Sequence, residues 1–136
     1  MFKKALFCVL YFSLFSGALL AEDATREGNN NYQYFLLEPD IITNYIKPGK
    51  RIGYVRISVE LMAKSDEDYA LLKTHEPLIR DKIISVLGEQ HEAKIKSPQD
   101  RDSIRQRCLD EINALLFLES GQKPVDDLLF TKYLYQ

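Results

Sequence analysis

A chain of 136 residues with 18 basic and 20 acidic side chains carries a net charge of −2, which excludes the phosphate-neutralising surface that nucleic-acid binding requires. Its length suits one domain with a modest core and leaves no room for a second. Two cysteines, Cys8 and Cys108, are too few for a disulfide framework.

Lys3 and Lys4 precede an apolar run from Ala5 to Ala21 that only Ser13, Ser16 and Gly17 interrupt. This is the layout of a secretory leader. At 17 residues it also reaches the lower limit, about 17, of what spans a bilayer core. Residues 1–21 are therefore expected to be a signal peptide or an N-terminal membrane anchor, with inner-membrane association possible through residues 5–21. In both cases the positive-inside rule delivers everything after residue 21 across the membrane. Removing Lys3 and Lys4 leaves 16 basic against 20 acidic residues, a net charge of −4. Residues 22–31 are polar, with Gly28 and three consecutive asparagines, and read as a flexible tether.

The domain is expected over residues 32–136. Tyr32 to Leu37 and Ile41 to Ile46 form a β-rich segment in which Pro39 marks an edge position or a bulge. Lys47-Pro48-Gly49-Lys50 is a turn. Val55, Ile57, Val59 and Leu61 alternate with Arg56, Ser58 and Glu60, predicting a strand with one buried and one wet face. Ser65 with Asp68 three residues on reads as a helix start. The helix that follows carries Tyr69, Leu72, Ile79, Ile83 and Val86 on one stripe and ends at Gly88, while Pro77 predicts a kink or a junction of two helices near His75 and Glu76. Ser97-Pro98 with Asp100 starts another helix, whose stripe is Ile104, Cys108, Ile112 and Leu115. Leu115 to Leu118 form a broader apolar patch, and Glu119 to Pro124 are turn-rich. From Val125 the chain reads as a last strand, with Leu128, Phe130 and Leu134 on one side and Leu129, Tyr133 and Tyr135 on the other. Apolar residues on both faces predict a central or self-associating strand.

The fold class expected is α+β, a small antiparallel or mixed sheet packed by two to three helices. Little in the chain points to chemistry. His75-Glu76 and His91-Glu92 lie 16 residues apart without the spacing of a helical zinc motif. Ser120-Gly121-Gln122-Lys123 matches a Ser-x-x-Lys nucleophile pattern but runs into Pro124 instead of opening a helix. Neither a phosphate loop nor a Gly-x-Ser-x-Gly elbow occurs, so the expectation is a protein that is not an enzyme and needs no cofactor or metal. Cys108 reads as a small core residue, with an intermolecular disulfide as the alternative. Tyrosines on the strands and the apolar patch before Glu119 make Tyr133, Tyr135, Phe117 and Leu118 candidate interface residues, and a homo-oligomer is expected.

The run Glu76-Pro77-Leu78-Ile79-Arg80-Asp81-Lys82-Ile83-Ile84, the strand before it and the ending Leu129-Phe130-Thr131 to Tyr135-Gln136 resemble the FliL family of flagellar basal-body-associated proteins. The resemblance covers about Arg51 to Gln136. It implies a periplasmic domain similar to the stomatin and prohibitin (SPFH) fold, soluble or anchored in the inner membrane, that associates with flagellar stator and basal-body proteins and supports torque. Members usually begin with a cytoplasmic tail, an uncleaved transmembrane helix and a linker, where this chain has a leader-like segment. Pro77, Arg80 and Asp81 match the family's motif, with structural roles expected first: Pro77 sets the kink, and Arg80 pairs with a nearby carboxylate. The other reading is a periplasmic adaptor or ligand-binding domain of the same fold, unrelated to motility.

Overall fold

A computed structural model describes residues 31–49 and 51–136. The expected leader and almost all of the expected tether lie outside the described residues.

The elements in chain order are β1 (Gln33–Leu36), β2 (Ile41–Ile46), β3 (Ile52–Ala63), α1 (Asp66–Thr74), α2 (Glu76–Gly88), α3 (Glu92–Lys96), α4 (Pro98–Ser120) and β4 (Asp127–Tyr135). All strand pairings are antiparallel, and β3 takes part in every one. Residues Val55 to Ile57 pair with β2 and β4 at once, and Glu60 to Met62 with β1 and β4. Therefore β1 and β2 follow one another along one edge of β3, and β4 lies on the other. Between them, Leu37 to Asp40 cover a stretch that β3 spans with Ser58 and Val59 alone, so the first edge bulges. Pro39 sits in that bulge, and the Leu37 amide still donates to the Val59 carbonyl at 3.0 Å.

The caps form as the sequence predicts. Ser65 accepts from the Asp68 amide at 3.1 Å, and Ser97 accepts from the Asp100 amide at 3.3 Å, each satisfying a donor that a helix start leaves over. At Pro77 the chain makes two helices meeting at His75, because proline fits the first turn of α2 but not the interior of a longer helix. Gly121 closes α4 in the left-handed conformation, φ 74°.

Three expectations need correction. Among the described residues the helices number four, not two or three: α1 and α2 are separate, and α3, only 5 residues long, lies between the two helices expected to end at Gly88 and to start at Ser97. The buried stripe of α4 is Ile104, Cys108, Ile112 and Leu116, whereas Leu115 is half-buried. Of the two readings of the last strand, the central one is corrected: among the described residues it pairs with β3 alone, as an edge strand. Its two-sided apolarity arises from a bulge, because Ser58 pairs with Lys132 while Val59 pairs with Phe130, leaving Thr131 extra. Beyond that bulge the faces exchange. Leu128, Phe130, Tyr133 and Tyr135 lie opposite the buried Leu61, Val59, Ile57 and Val55, while Leu134 joins Leu129 and Lys132 on the other side.

The core lies between one face of this sheet and the helices. Val55, Ile57 and Leu61 of β3 are wholly buried there, as are Ile79 and Ile83 of α2 and Ile112 and Leu116 of α4. Cys108 is buried among them, and desolvation pushes its thiol up to about 12, which keeps it protonated and unreactive. Asn113 ties α4 to the turn before β4: its amide donates to the Val125 carbonyl at 2.8 Å and accepts from the Val125 amide at 3.1 Å. At the far end, Tyr45 lies opposite Gly53, and its hydroxyl donates to the Gln136 carbonyl at 2.6 Å, linking β2 across β3 to the end of β4.

That crossing requires glycine at position 53. A Cβ there would stand 2.2 Å from the Tyr45 ring, far inside contact distance. We expect Gly53→Ala to lower stability by about 1–3 kcal/mol through overpacking. Gly88→Ala, whose Cβ would meet only the Asn44 carbonyl at 3.9 Å, is expected to raise stability by about 0.4–1 kcal/mol. Urea denaturation of both variants checks the pair, and equal effects would contradict the packing described.

Candidate contact surface

All the described helices cover one side of the sheet, and its other side meets none of them. In register, Tyr34, Leu36, Ile42, Ile46, Ile52, Tyr54, Leu129 and Leu134 point to that open side, and each is exposed. An exposed apolar leucine alone means little, but eight such side chains on one face are an unusual concentration for a surface. At one end, Ile42, Tyr54, Arg56, Leu134, Tyr135 and Gln136 line a depression of about 380 Å3.

A polar cluster sits at the centre of this face. Asp40, from the bulge, accepts hydrogen bonds from the Ser58 hydroxyl, from Arg56 Nε at 2.8 Å and from Lys132 Nζ at 3.0 Å. The three donors come from both strands beside it, so the cluster staples the bulged edge to β3 and β4. Hydrogen bonds from Ser58, then from Lys132 and Arg56, hold the Asp40 carboxyl well below the usual carboxylate range. Arg56 and Lys132 keep about half of their side-chain surface, at 52% and 45%, against 18% for Asp40, so the cluster presents its cations outward. Glu60, on the same face four residues from Arg56, is half-buried and forms no ion pair with any described residue.

The motif residues lie across the molecule from this face. Pro77 is exposed in the first turn of α2. Arg80 Nη1 donates to the Pro39 carbonyl at 2.8 Å, and its other terminal nitrogen lies 3.4 Å from Glu76, so it fastens α2 to the bulge that carries Asp40. Asp81 is exposed on α2. Among the interface candidates, Tyr133 faces the helices, its hydroxyl donating to the Ile95 carbonyl at 3.0 Å and its ring lying 4.3 Å beneath the Arg101 guanidinium. Burial pushes that hydroxyl up to about 12. Tyr135 is 40% exposed at the rim of the depression. Phe117 and Leu118 are exposed on α4, Leu118 to 81%, with Lys123 over the Phe117 ring at 5.8 Å. The Tyr133 and Tyr135 rings lie edge to face at 6.3 Å, with Lys96 over the Tyr135 ring at 5.9 Å, so the structure places the four residues in two settings, one on β4 and one on α4.

The possible chemical groups are not assembled either. Ser120 donates its hydroxyl to the Leu116 carbonyl at 2.7 Å, in the role of a helix-end residue. His75 precedes α2 and His91 follows it, with a 13-residue helix, about 20 Å long, between them. Among the described residues no group of three or more His, Cys, Asp or Glu side chains is placed to hold a metal ion. No described helix is long and apolar enough to cross a membrane.

Among the described residues the fold is thus a four-helix α+β domain with one sheet face uncovered by helices and a polar cluster in the middle of that face. A family model described as flagellar basal body-associated protein FliL matches residues 34–136. Among relatives, the flagellar protein FliL of Aquifex aeolicus (strain VF5) is 29% identical over 102 residues, which is 75% of this chain and 60% of that protein. The chain therefore belongs to the FliL family of flagellar basal-body-associated proteins, and it spans 60% of the length of the curated relative it matches.

The Asp40 cluster makes a pH prediction with a definite sign. Because the folded carboxyl titrates below its unfolded value, its contribution is complete above the unfolded pKa of about 3.9 and declines as pH falls below that toward the folded value. The stability gap between wild type and Asp40→Asn is expected to stay constant from about pH 7 to about pH 4.5 and to narrow below about pH 4. Denaturant titrations across that range check it, and a gap that narrows near neutrality would contradict the assignment.

Proposed function

We propose that this chain is an accessory protein of the flagellar basal body that acts in the periplasm through protein contacts, associating with the stator units and supporting torque. The observation that carries the proposal is the open sheet face of a chain belonging to a flagellar basal-body-associated family. Apolar side chains around outward-facing cations suit noncovalent docking, which needs area and complementarity. The settings of Ser120, His75 and His91 support contact over turnover. Residues 1–21 are proposed to carry the domain across the inner membrane, as a cleaved leader or as an anchor, with residues 22–31 as the tether. The SPFH-like character inferred from the family resemblance belongs to the same proposal.

A second reading, a periplasmic adaptor or ligand-binding domain unrelated to motility, is favoured by the depression of about 380 Å3 beside Tyr54 and Leu134, which is within the size range of small-molecule sites. Its apolar rim also suits a protein side chain.

The test is swimming under viscous load in a strain lacking the gene. Reintroduced wild-type chain is expected to restore swimming, and Ile42→Glu with Leu134→Glu together to fail at unchanged protein level. Unaltered swimming of the deletion strain in every medium would overturn the flagellar reading.

A further inference from the structure

We propose that the free edge of β4 takes an extended acidic segment of another protein as an added strand, with one carboxylate of that segment seated on Arg101. This contact surface lies at the edge of the sheet, apart from its open face. It rests on the contact reading above only in taking the partner to be a protein.

Pro98, Arg101, Asp102, Arg105, Leu129 and Phe130 line a cleft of about 250 Å3. Successive residues of a strand point to opposite faces of its sheet, so a cleft touched by both Leu129 and Phe130 runs along the outer edge of β4. The chain closes the start of that edge itself: the Leu128 amide donates to the Asp127 carboxylate at 2.8 Å, and the Leu128 carbonyl accepts from Arg105 at 3.1 Å. The Leu128 backbone therefore faces away from β3. Because backbone groups alternate in direction along an antiparallel strand, Phe130 faces outward too. Beyond the extra residue at Thr131 the outward positions are Tyr133 and Tyr135, with the Gln136 amide again turned inward to Tyr54. Among the described residues, nothing outside the sheet pairs with the backbone of Phe130, Tyr133 or Tyr135. Such a row of donors and acceptors is a template for another strand.

Arg101 supplies the selectivity. Its guanidinium lies 4.3 Å over the Tyr133 ring, a contact that fixes its direction. Its Nε is buried without a hydrogen-bond partner, and no ion pair joins it to any described residue. A guanidinium held in this state is short of acceptors, and a carboxylate, which accepts two parallel hydrogen bonds from it, fits that need. Arg105 in the same cleft is already committed, Nε to Asp102 and Nη1 to Asp127. The charges of these two arginines and two aspartates cancel, and Asp102 keeps 75% of its side-chain surface. A polyanion would be repelled there, whereas a single carboxylate on an extended chain reaches Arg101.

The pairing defines the rest of the segment. Phe130, Tyr133 and Tyr135 point to the helix side, where Arg101 lies, and Leu129 and Leu134 to the open side. A strand added to β4 carries its acidic residue on the helix side, so the residues before and after it fall on the open side, next to the exposed Leu129 and Leu134. The pattern that fits is apolar, acidic, apolar, with β-branched residues at the apolar positions.

Peptide titration of the isotope-labelled chain recovered from the cell envelope, followed through backbone amide NMR shifts, tests this. The probe is end-blocked Ser-Thr-Val-Glu-Val-Thr-Ser. It is expected to bind with a Kd of about 0.1–1 mM, the weak range of a short segment that must be ordered on binding, and to shift the amides of Phe130, Tyr133 and Tyr135. Glutamine in place of the probe's glutamate, or Arg101→Gln in the protein, is expected to weaken binding at least about tenfold. Methylating two successive backbone nitrogens of the probe, one of which must face β4, is expected to abolish binding with the charge unchanged. Circular dichroism confirms that Arg101→Gln is folded, and the probe variants test the same contacts on unaltered protein. No shift up to about 5 mM probe, or binding indifferent to the glutamine probe or to methylation, overturns the proposal. Swimming is scored separately. Swimming lost in the Ile42→Glu, Leu134→Glu variant of a chain that binds no probe overturns strand addition and leaves the open-face reading standing. Probe binding lost in Arg101→Gln with swimming unchanged supports strand addition and removes this edge from motility.

Discussion

A sheet has two faces, and in this domain all the described helices pack on one of them. That asymmetry organises the rest. Residues of β3 at odd positions from Val55 to Leu61 are buried because α2 and α4 lie above them, and the alternation of side chains along a strand then directs Tyr54, Arg56 and Glu60 to the open side. The chain manages that open side instead of merely tolerating it. A cluster of one carboxylate, one hydroxyl and two cations occupies its centre, fixing register where an uninterrupted apolar face would invite slippage.

Both edges of the sheet bulge, and the bulges meet at the same level of β3. Leu37 to Asp40 bulge on one side of Ser58 and Val59, and Thr131 bulges on the other. The first brings Asp40 over Ser58, and the second turns Lys132 to the open face, where it reaches the same carboxylate. Arg80 holds the first bulge from the helix side through the Pro39 carbonyl. A motif residue on a helix thereby supports a cluster on the opposite face, a connection carried by backbone and invisible in residue types alone.

What was legible in the sequence follows from locality. Helix starts at Ser65 and Ser97 were readable because a cap is decided within four residues, and β3 was readable because its alternation is uninterrupted. The faces of β4 were not, because one extra residue at Thr131 exchanges them, and a bulge is set by the pairing partner, not by the strand that bulges. Tyr133 accordingly read as an interface residue and is placed against Ile95 and Arg101 instead. Asp40 gave no local signal, since its three partners lie 16, 18 and 92 residues away. The open face had one available clue: Ile52 and Tyr54 share parity with Arg56, Ser58 and Glu60, so the side read as wet was already apolar at its start.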